Sequence, residues 1–263
     1  MDPLPRRAAP RFRPLRVVLA LVLREMGTRF GRSAGGYLWA VLEPLGGIVL
    51  LAIAFSLALR TPPMGTSFML FYATGIVPFN LYRTMSSAVS SAVGSNKGLL
   101  TYPVVTLLDA VLAKFLLNML TQLTVAVVLF VGIAAVFRPL INLDLAAVAR
   151  ALALAAVLGL GIGTLNCVLF GFFPTWKNVW GVLTRPLFIL SGVFFIYESV
   201  PPEFQAVLWW NPLVHVIAVM RSGFYGTYHP QFVSYPYVLV IGLATFVLGA
   251  YLLRRHASFL LEA

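Results

Sequence analysis

The sequence predicts an all-α integral membrane protein. Six transmembrane helices follow a helix lying at the membrane surface, and two re-entrant half-helices interrupt the chain between spans five and six. Three observations predict this. First, 60% of the 263 residues are hydrophobic and only 10% are charged, whereas a soluble domain carries about a quarter charged residues. Second, the apolar residues gather into runs of about 20, the helix length that crosses a hydrocarbon core. Third, the basic residues are lopsided: 8 of the 19 Lys and Arg (Arg6, Arg7, Arg11, Arg13, Arg16, Arg24, Arg29 and Arg32) precede Gly35. Such a cluster holds its segment in the cytoplasm, against anionic headgroups. In a soluble protein a net charge of +11 would suggest a nucleic-acid partner. Here no basic and aromatic surface lies outside the membrane, so no nucleic acid is expected.

One membrane domain is expected over residues 1–263. Residues 1–14 are rich in Pro and Arg and predict a flexible N-terminus. Residues 15–33 predict a cytoplasmic interfacial helix. Its apolar run, Val17 to Leu23, is too short to span and ends at Arg24 and Glu25 without a cleavage site of small residues, so it is not a signal peptide. Arginines alternate there with Leu15, Leu19, Val22, Met26 and Phe30, the pattern of a helix lying in the interface.

The six-span bundle is expected over residues 37–253. Span one covers 37–59, with Tyr37 and Trp39 as interfacial anchors. Span two covers 68–93 and should kink at Pro78. Span three, 107–137, is long enough to tilt or to project into the cytoplasm. Span four covers 145–173, span five covers 179–196 around Pro186, and span six covers 235–253 before Arg254 and Arg255. With the N-terminus inside, the eight early arginines join Lys97, Lys114, Lys177, Arg254 and Arg255, 13 cytoplasmic cations against Arg60, Arg138 and Arg221 outside. That bias puts both termini in the cytoplasm.

Between spans two and three, residues 95–114 carry Lys97, Gly98, Pro103 and Asp109 between almost uncharged flanks. A polar break of this kind lies at a membrane surface, because hydrocarbon offers a loop no hydrogen-bond partners. It is long enough for a short helix, and a partner would push there. Between spans five and six, residues 204–210 and 213–220 are each too short to cross and are separated by Asn211-Pro212. Half-helices dipping into the outer leaflet account for them.

No element carries catalytic or nucleotide chemistry. Gly159, Gly161 and Gly163 lie mid-span with no following Lys-Ser/Thr and predict close helix packing. Any ATP is therefore hydrolysed by another chain. His215, His229 and His256 are scattered, and Glu198 and Glu203 flank Pro201-Pro202 as a solvated turn. The lone Cys167 reads as a small buried hydrophobe. Neither a cofactor nor a metal is expected on this chain.

Arg83 stands apart. A charge within a span costs roughly 2.5–3.5 kcal/mol on insertion scales and faces a wet cavity or bundle interior. Phe79, Arg83, Ser86 and Ser90 share one helical face. That set suits the path of a polar, acidic polymer, with Tyr37 and Trp39 near its entrance. The competing reading is an Arg83 that snorkels to headgroups.

Three stretches resemble one family. LREMGTRFGRSAGGYLWAVLEPL at 23–45 resembles the amino-terminal signature of polysaccharide-export permeases of the type-2 ABC transporter class, capsule and O-antigen exporters in particular. GIVPFNLYR and SNKGLL, within 75–100, are similar to that family's second span and coupling region. Residues 186–225, with NPLVH and RSGFY, are similar to its fifth span and re-entrant segment. One departure is Thr106-Leu107-Leu108 before Asp109, where the family often has Pro.

The resemblance implies the non-enzymatic subunit of an ATP-driven exporter in the bacterial inner membrane. It acts as a homodimer with two copies of a nucleotide-binding ATPase subunit that holds ATP and Mg. It also implies a lipid-linked polysaccharide substrate, a polysaccharide co-polymerase and an outer-membrane export protein. Asn96, Lys97, Leu99, Leu100 and Tyr102 are then expected to meet the ATPase, with Leu99 and Leu100 as apolar anchors. Trp209, Trp210, Asn211, Pro212, His215 and Arg221 are expected at a periplasmic gate. Export of O-antigen or a teichoic-acid polymer is the alternative within the class. A membrane-embedded glycosyl- or acyltransferase is the alternative outside it.

Overall fold

The computed structural model describes residues 13–30, 36–100, 105–137 and 143–262. Among them the chain is helical without strands: α1 Arg13–Phe30, α2 Gly36–Ala58, α3 Phe68–Ser90, α4 Ala92–Leu100, α5 Leu107–Phe137, α6 Leu145–Phe172, α7 Trp176–Leu190, α8 Pro202–Leu208, α9 Pro212–Ser222, α10 Tyr235–Arg255 and α11 Ala257–Glu262. A single 3-10 turn, Tyr197–Ser199, precedes α8. Four described helices are long and apolar enough to cross a membrane: Leu38–Ala58, Leu107–Phe137, Leu145–Phe172 and Tyr235–Arg255. At 23 residues α3 matches α2 in length, but Thr74, Asn80, Arg83, Thr84 and three serines dilute its apolar character. The 15 residues of α7 rise only about 22 Å, short of a ~30 Å hydrocarbon core.

Helix ends follow local chemistry. Ser67 caps α3 by accepting from the Leu70 amide (3.3 Å). Asp144 caps α6 by accepting from the amides of Ala146 and Ala147 (2.8 and 3.2 Å). At the start of α5, where the family pattern has Pro, Thr106 and Asp109 form a reciprocal box. The Thr106 amide donates to Asp109 Oδ2 (2.9 Å) and the Asp109 amide to Thr106 Oγ1 (3.2 Å), satisfying two donors that a helix start leaves open. Pro78 lies inside α3, which runs on from Phe68 to Ser90.

The core is centred on α6, which packs against α3 on one side and α10 on the other. Its glycines permit this. A Cβ at Gly159 would come within 2.8 Å of Met85 Cβ, one at Gly163 within 2.9 Å of the Ser86 carbonyl, and one at Gly161 would overlap the Gly242 carbonyl of α10. Backbones brought this close exchange dispersion contacts that larger side chains would forbid. Cys167 is buried beside this seam.

A second, smaller apolar cluster joins α1 to the rest. Val18, Leu21 and Val22 pack on Ala113 and Leu117 of α5, with Leu99 of α4 against the same group. The opposite face of α1 exposes Leu19, Leu23 and Met26. This is the two-faced pattern of a surface-lying helix, one side on protein and one free for lipid.

In contrast, α7 buries no residue at all. It is held at its two ends and by Phe188, which packs on Phe79 of α3. The Trp176 indole donates to Asn166 Oδ1 of α6 (3.1 Å), and Asn211 Nδ2 donates to the Leu190 carbonyl (3.0 Å). The helix expected over 179–196 thus starts earlier and stops at Leu190, two residues before Gly192 turns the chain at φ +81°. That value suits glycine because it has no Cβ to clash.

Candidate functional site

The face of α3 that carries Arg83, Ser86 and Ser90 opens onto a cavity of about 1320 Å³. Its walls are α3, α4, the end of α6, α7, Lys114 of α5, Glu25 of α1 and Leu260 of α11. The face is polar because successive turns of α3 and α4 present Thr84, Ser86, Ser87, Ser90, Ser91 and Ser95. Hydroxyls are tolerable on a helix wall, since Thr84, Ser90, Ser91 and Ser95 can donate back to carbonyls three or four residues earlier. On the α7 side stand Lys177, Trp180 and Thr184.

The lining holds four cations, Arg83, Lys97, Lys114 and Lys177, against one acid, Glu25. Arg83 pairs with Glu43 of α2 at 3.1 Å, both side chains more than half exposed. Lys114 is nearly buried and pairs with Glu25. Lys97 and Lys177 are exposed and make no ion pair with a described residue. The result is a hydroxyl-rich, net-positive chamber with one aromatic face, chemistry suited to an anionic, polyhydroxylated ligand.

Phe79 shares the face but not the cavity. It is 3% exposed because Phe188 of α7 covers it at 5.0 Å, and Phe188 in turn meets Phe194 at 5.1 Å. This aromatic cluster closes the stripe one turn beyond Arg83. Trp39 is exposed on α2 and is not among the cavity's walls. The side chain of Tyr37 lies outside the described residues, as does Tyr102.

The coupling segment forms α4 as a separate helix, turned away from α3 at Ser91. Leu100 is 6% exposed in the chain's own core, and Leu99 packs beneath α1. Neither presents an apolar anchor outwards, because α1 and α5 already cover that side. Asn96 is buried and accepts from Arg24 Nη1 of α1 (3.0 Å). The exposed surface of α4 is Gly94, Ser95, Lys97 and Gly98.

At the opposite end, Trp209, Trp210, Asn211, Pro212 and His215 gather around the start of α9. Asn211 Oδ1 caps the helix by accepting from the Leu213 amide (3.0 Å). His215 is fully buried; its Nδ1 accepts from the Ser234 amide (3.2 Å), so its Nε2 carries the proton towards the Trp209 carbonyl (2.8 Å). Trp209 donates to the Phe232 carbonyl (3.1 Å) and stacks with Tyr237, while Trp210 is exposed. His215 is therefore a buried strut.

Arg221, at the other end of α9, is 2% exposed. It donates to the carbonyls of Phe195 (2.7 Å) and Val193 (3.0 Å) and lies 4.1 Å over the Phe71 ring. It ties the segment after α7 to α9 and α3. Nearby, the Tyr228 hydroxyl donates to Glu198 (3.0 Å). Burial first, then the Glu198 charge, raises its pKa and keeps it a donor.

Sequence reasoning missed three features. These are the Glu25–Lys114 pair, the Arg24–Asn96 bond and the role of α11, whose Leu260 seats on Gly171 beneath the cavity. Each joins residues distant in the chain, and none has a local spacing signal.

Spanning helices, a polar cavity open along α3, and a separate surface helix define a helical membrane transport subunit. The chain belongs to the ABC-2 type transporter family, whose model matches residues 16–225. It is 32% identical to the polysialic acid transport protein KpsM of Escherichia coli, over 94% of this chain and 95% of that one. It is 28% identical to the capsule polysaccharide export inner-membrane protein CtrC of Neisseria meningitidis serogroup B, over 92% of each. It is 27% identical to the corresponding protein BexB of Haemophilus influenzae, again over 92% of each.

Proposed function

We propose that this chain is the transmembrane subunit of an ATP-driven exporter moving lipid-linked capsular polysaccharide across the bacterial inner membrane. The observation that carries the reading is similarity along nearly the whole chain to capsule-export permeases. The cavity supports it, since its hydroxyls, cations and Trp180 suit an acidic glycan or the phosphate of its lipid anchor. In this reading α3, and α7 together with the chain that continues it to Ile196, complete six spans, and both termini are cytoplasmic. The cavity then opens inside, and α8 and α9 lie at the periplasmic end.

ATP and Mg belong to a separate nucleotide-binding subunit, two copies of which serve two permeases. That subunit meets the exposed surface of α4 around Lys97. The bare faces of α2 and α7 form the contact between permeases. A polysaccharide co-polymerase and an outer-membrane export protein continue the route.

Two experiments test the reading. Deleting the gene should leave polymer inside the cell. In the complemented strain, Arg83→Ala should reduce surface polymer and Arg83→Lys should restore part of it, as charge alone would. Normal export by Arg83→Ala would show that Arg83 only pairs with Glu43 at the membrane surface.

A further inference from the structure

Arg24 and Glu25 are neighbours on α1, and each holds a different helix. Arg24 Nη1 donates to Asn96 Oδ1 of α4 at 3.0 Å. Glu25 pairs with Lys114 of α5. Between these polar clasps runs the apolar seam of Val18, Leu21 and Val22 on Ala113 and Leu117, with Leu99 of α4 on the same cluster. Therefore α1, α4 and the first turns of α5 are joined at three points.

The Glu25–Lys114 pair also faces the cavity; both residues line it. Among the described residues it is the only cavity cation whose paired acid is in the lining too. Arg83 pairs with Glu43, which is not a wall residue. An anion entering the cavity thus meets a carboxylate already holding Lys114, little screened because the pair is mostly buried. Two like charges then compete for one ammonium.

We propose that this competition is a relay: an anionic group in the cavity takes Lys114 from Glu25, loosens α1 from α5, and so shifts α4 through Arg24 and Asn96. The inference rests on the cavity being the anion-accepting site of an exporter. It adds how the arrival of cargo is reported to the ATPase subunit. The two states differ in a definite contact, Lys114 with Glu25 or Lys114 with the ligand, as a ligand-driven shift requires. By linkage, a partner that moves α4 alters anion affinity by the same factor. Glu25, Arg24 and Asn96 act here as positioning residues.

The test uses the complex of permease and ATPase subunit in phosphatidylcholine vesicles, with ATP hydrolysis as the readout. One arm adds phosphatidylglycerol to the vesicles; the other adds a soluble oligogalacturonate. Whichever stimulates the wild type names the source, lipid phosphate or sugar carboxylate. A coupling of ordinary size gives about a fivefold change or more. Glu25→Gln should raise the unstimulated rate and lose the stimulation. If that variant fails to fold, Arg24→Gln breaks the clasp to Asn96 without touching the cavity and should lose stimulation likewise. Lys114→Gln should assemble with the ATPase subunit yet stay unstimulated, because the cavity then has no ammonium at this point for an anion to take from Glu25.

Full stimulation in Lys114→Gln would show a plain strut and overturn the relay. Wild-type stimulation in both Glu25→Gln and Arg24→Gln would also overturn it, while leaving the cavity as the anion site. If neither anion changes the wild-type rate, the cavity reading itself falls and the relay with it.

Discussion

Arg221 shows how a charge can be buried without a direct ion pair. Its guanidinium satisfies the carbonyls of Val193 and Phe195 and rests on the Phe71 ring. Removing it leaves two buried carbonyls without donors, each charge-assisted bond being worth about 1.5–3 kcal/mol. Arg221→Ala should therefore lower the apparent melting temperature in detergent. Arg221→Lys should recover little, since one ammonium cannot reproduce the planar fork; an unchanged melting curve for either would refute the latch. The sequence marks this arginine only as the R of a family motif. Its partners are backbone carbonyls of a turn, which have no residue-type signature, so its role was not legible. Thr106 and Asp109 are the opposite case: a helix-start box readable from spacing once α5 is placed. Thr106→Ala should cost about 1 kcal/mol, measured by the same melt.

Among the elements, apolar runs mark α2, α5, α6 and α10 to within a residue or two at each end, because hydropathy and helix length are coupled in lipid. The break between α3 and α4 and the early stop of α7 were not legible. Ser91 carries no Gly or Pro signal, and after α7 only Ser191-Gly192 interrupts an apolar run that continues through Ile196. Packing sets that stop: Val193 sits over Gly75, whose added Cβ would lie 3.1 Å from the Val193 Cα. The glycine seam on α6 was legible as close packing, and its severity can be tested. Gly161→Ala places a methyl against the Gly242 carbonyl of α10. Overpacking of this kind costs about 1–3 kcal/mol or more, so folded protein recovered from membranes should fall sharply, whereas Gly132→Ala, with open space around it, should be neutral. At the far end, Ala206 is exposed on α8 and Val214 is buried on α9. An impermeant thiol reagent applied from the periplasm should label Ala206→Cys and spare Val214→Cys; cytoplasmic labelling of Ala206→Cys would invert the proposed topology.

The molecule as a whole leaves one helix unsupported. No residue of α7 is buried, yet the helix forms a wall of the cavity through Lys177, Trp180 and Thr184. A wall held at Trp176 and, at its other end, by Phe188 and Leu190 is laterally weak between them unless something packs along it. Lipid could wet its apolar side, but its outer face carries Val182 and Leu183 at 62% and 53% exposed, and α2 likewise exposes Leu50, Ile53 and Leu57. A second copy about a two-fold axis running beside α7 would cover it, and such an axis brings the residues next to it near their own images. Leu183→Cys, with Cys167→Ala to remove the native thiol, should then form a disulfide-linked dimer on mild oxidation in the membrane. Val240→Cys on α10 is 65% exposed and serves as the lipid-facing control; it should stay monomeric. If Val240→Cys cross-links and Leu183→Cys does not, the copies meet along α10, and α7 closes the cavity against lipid alone.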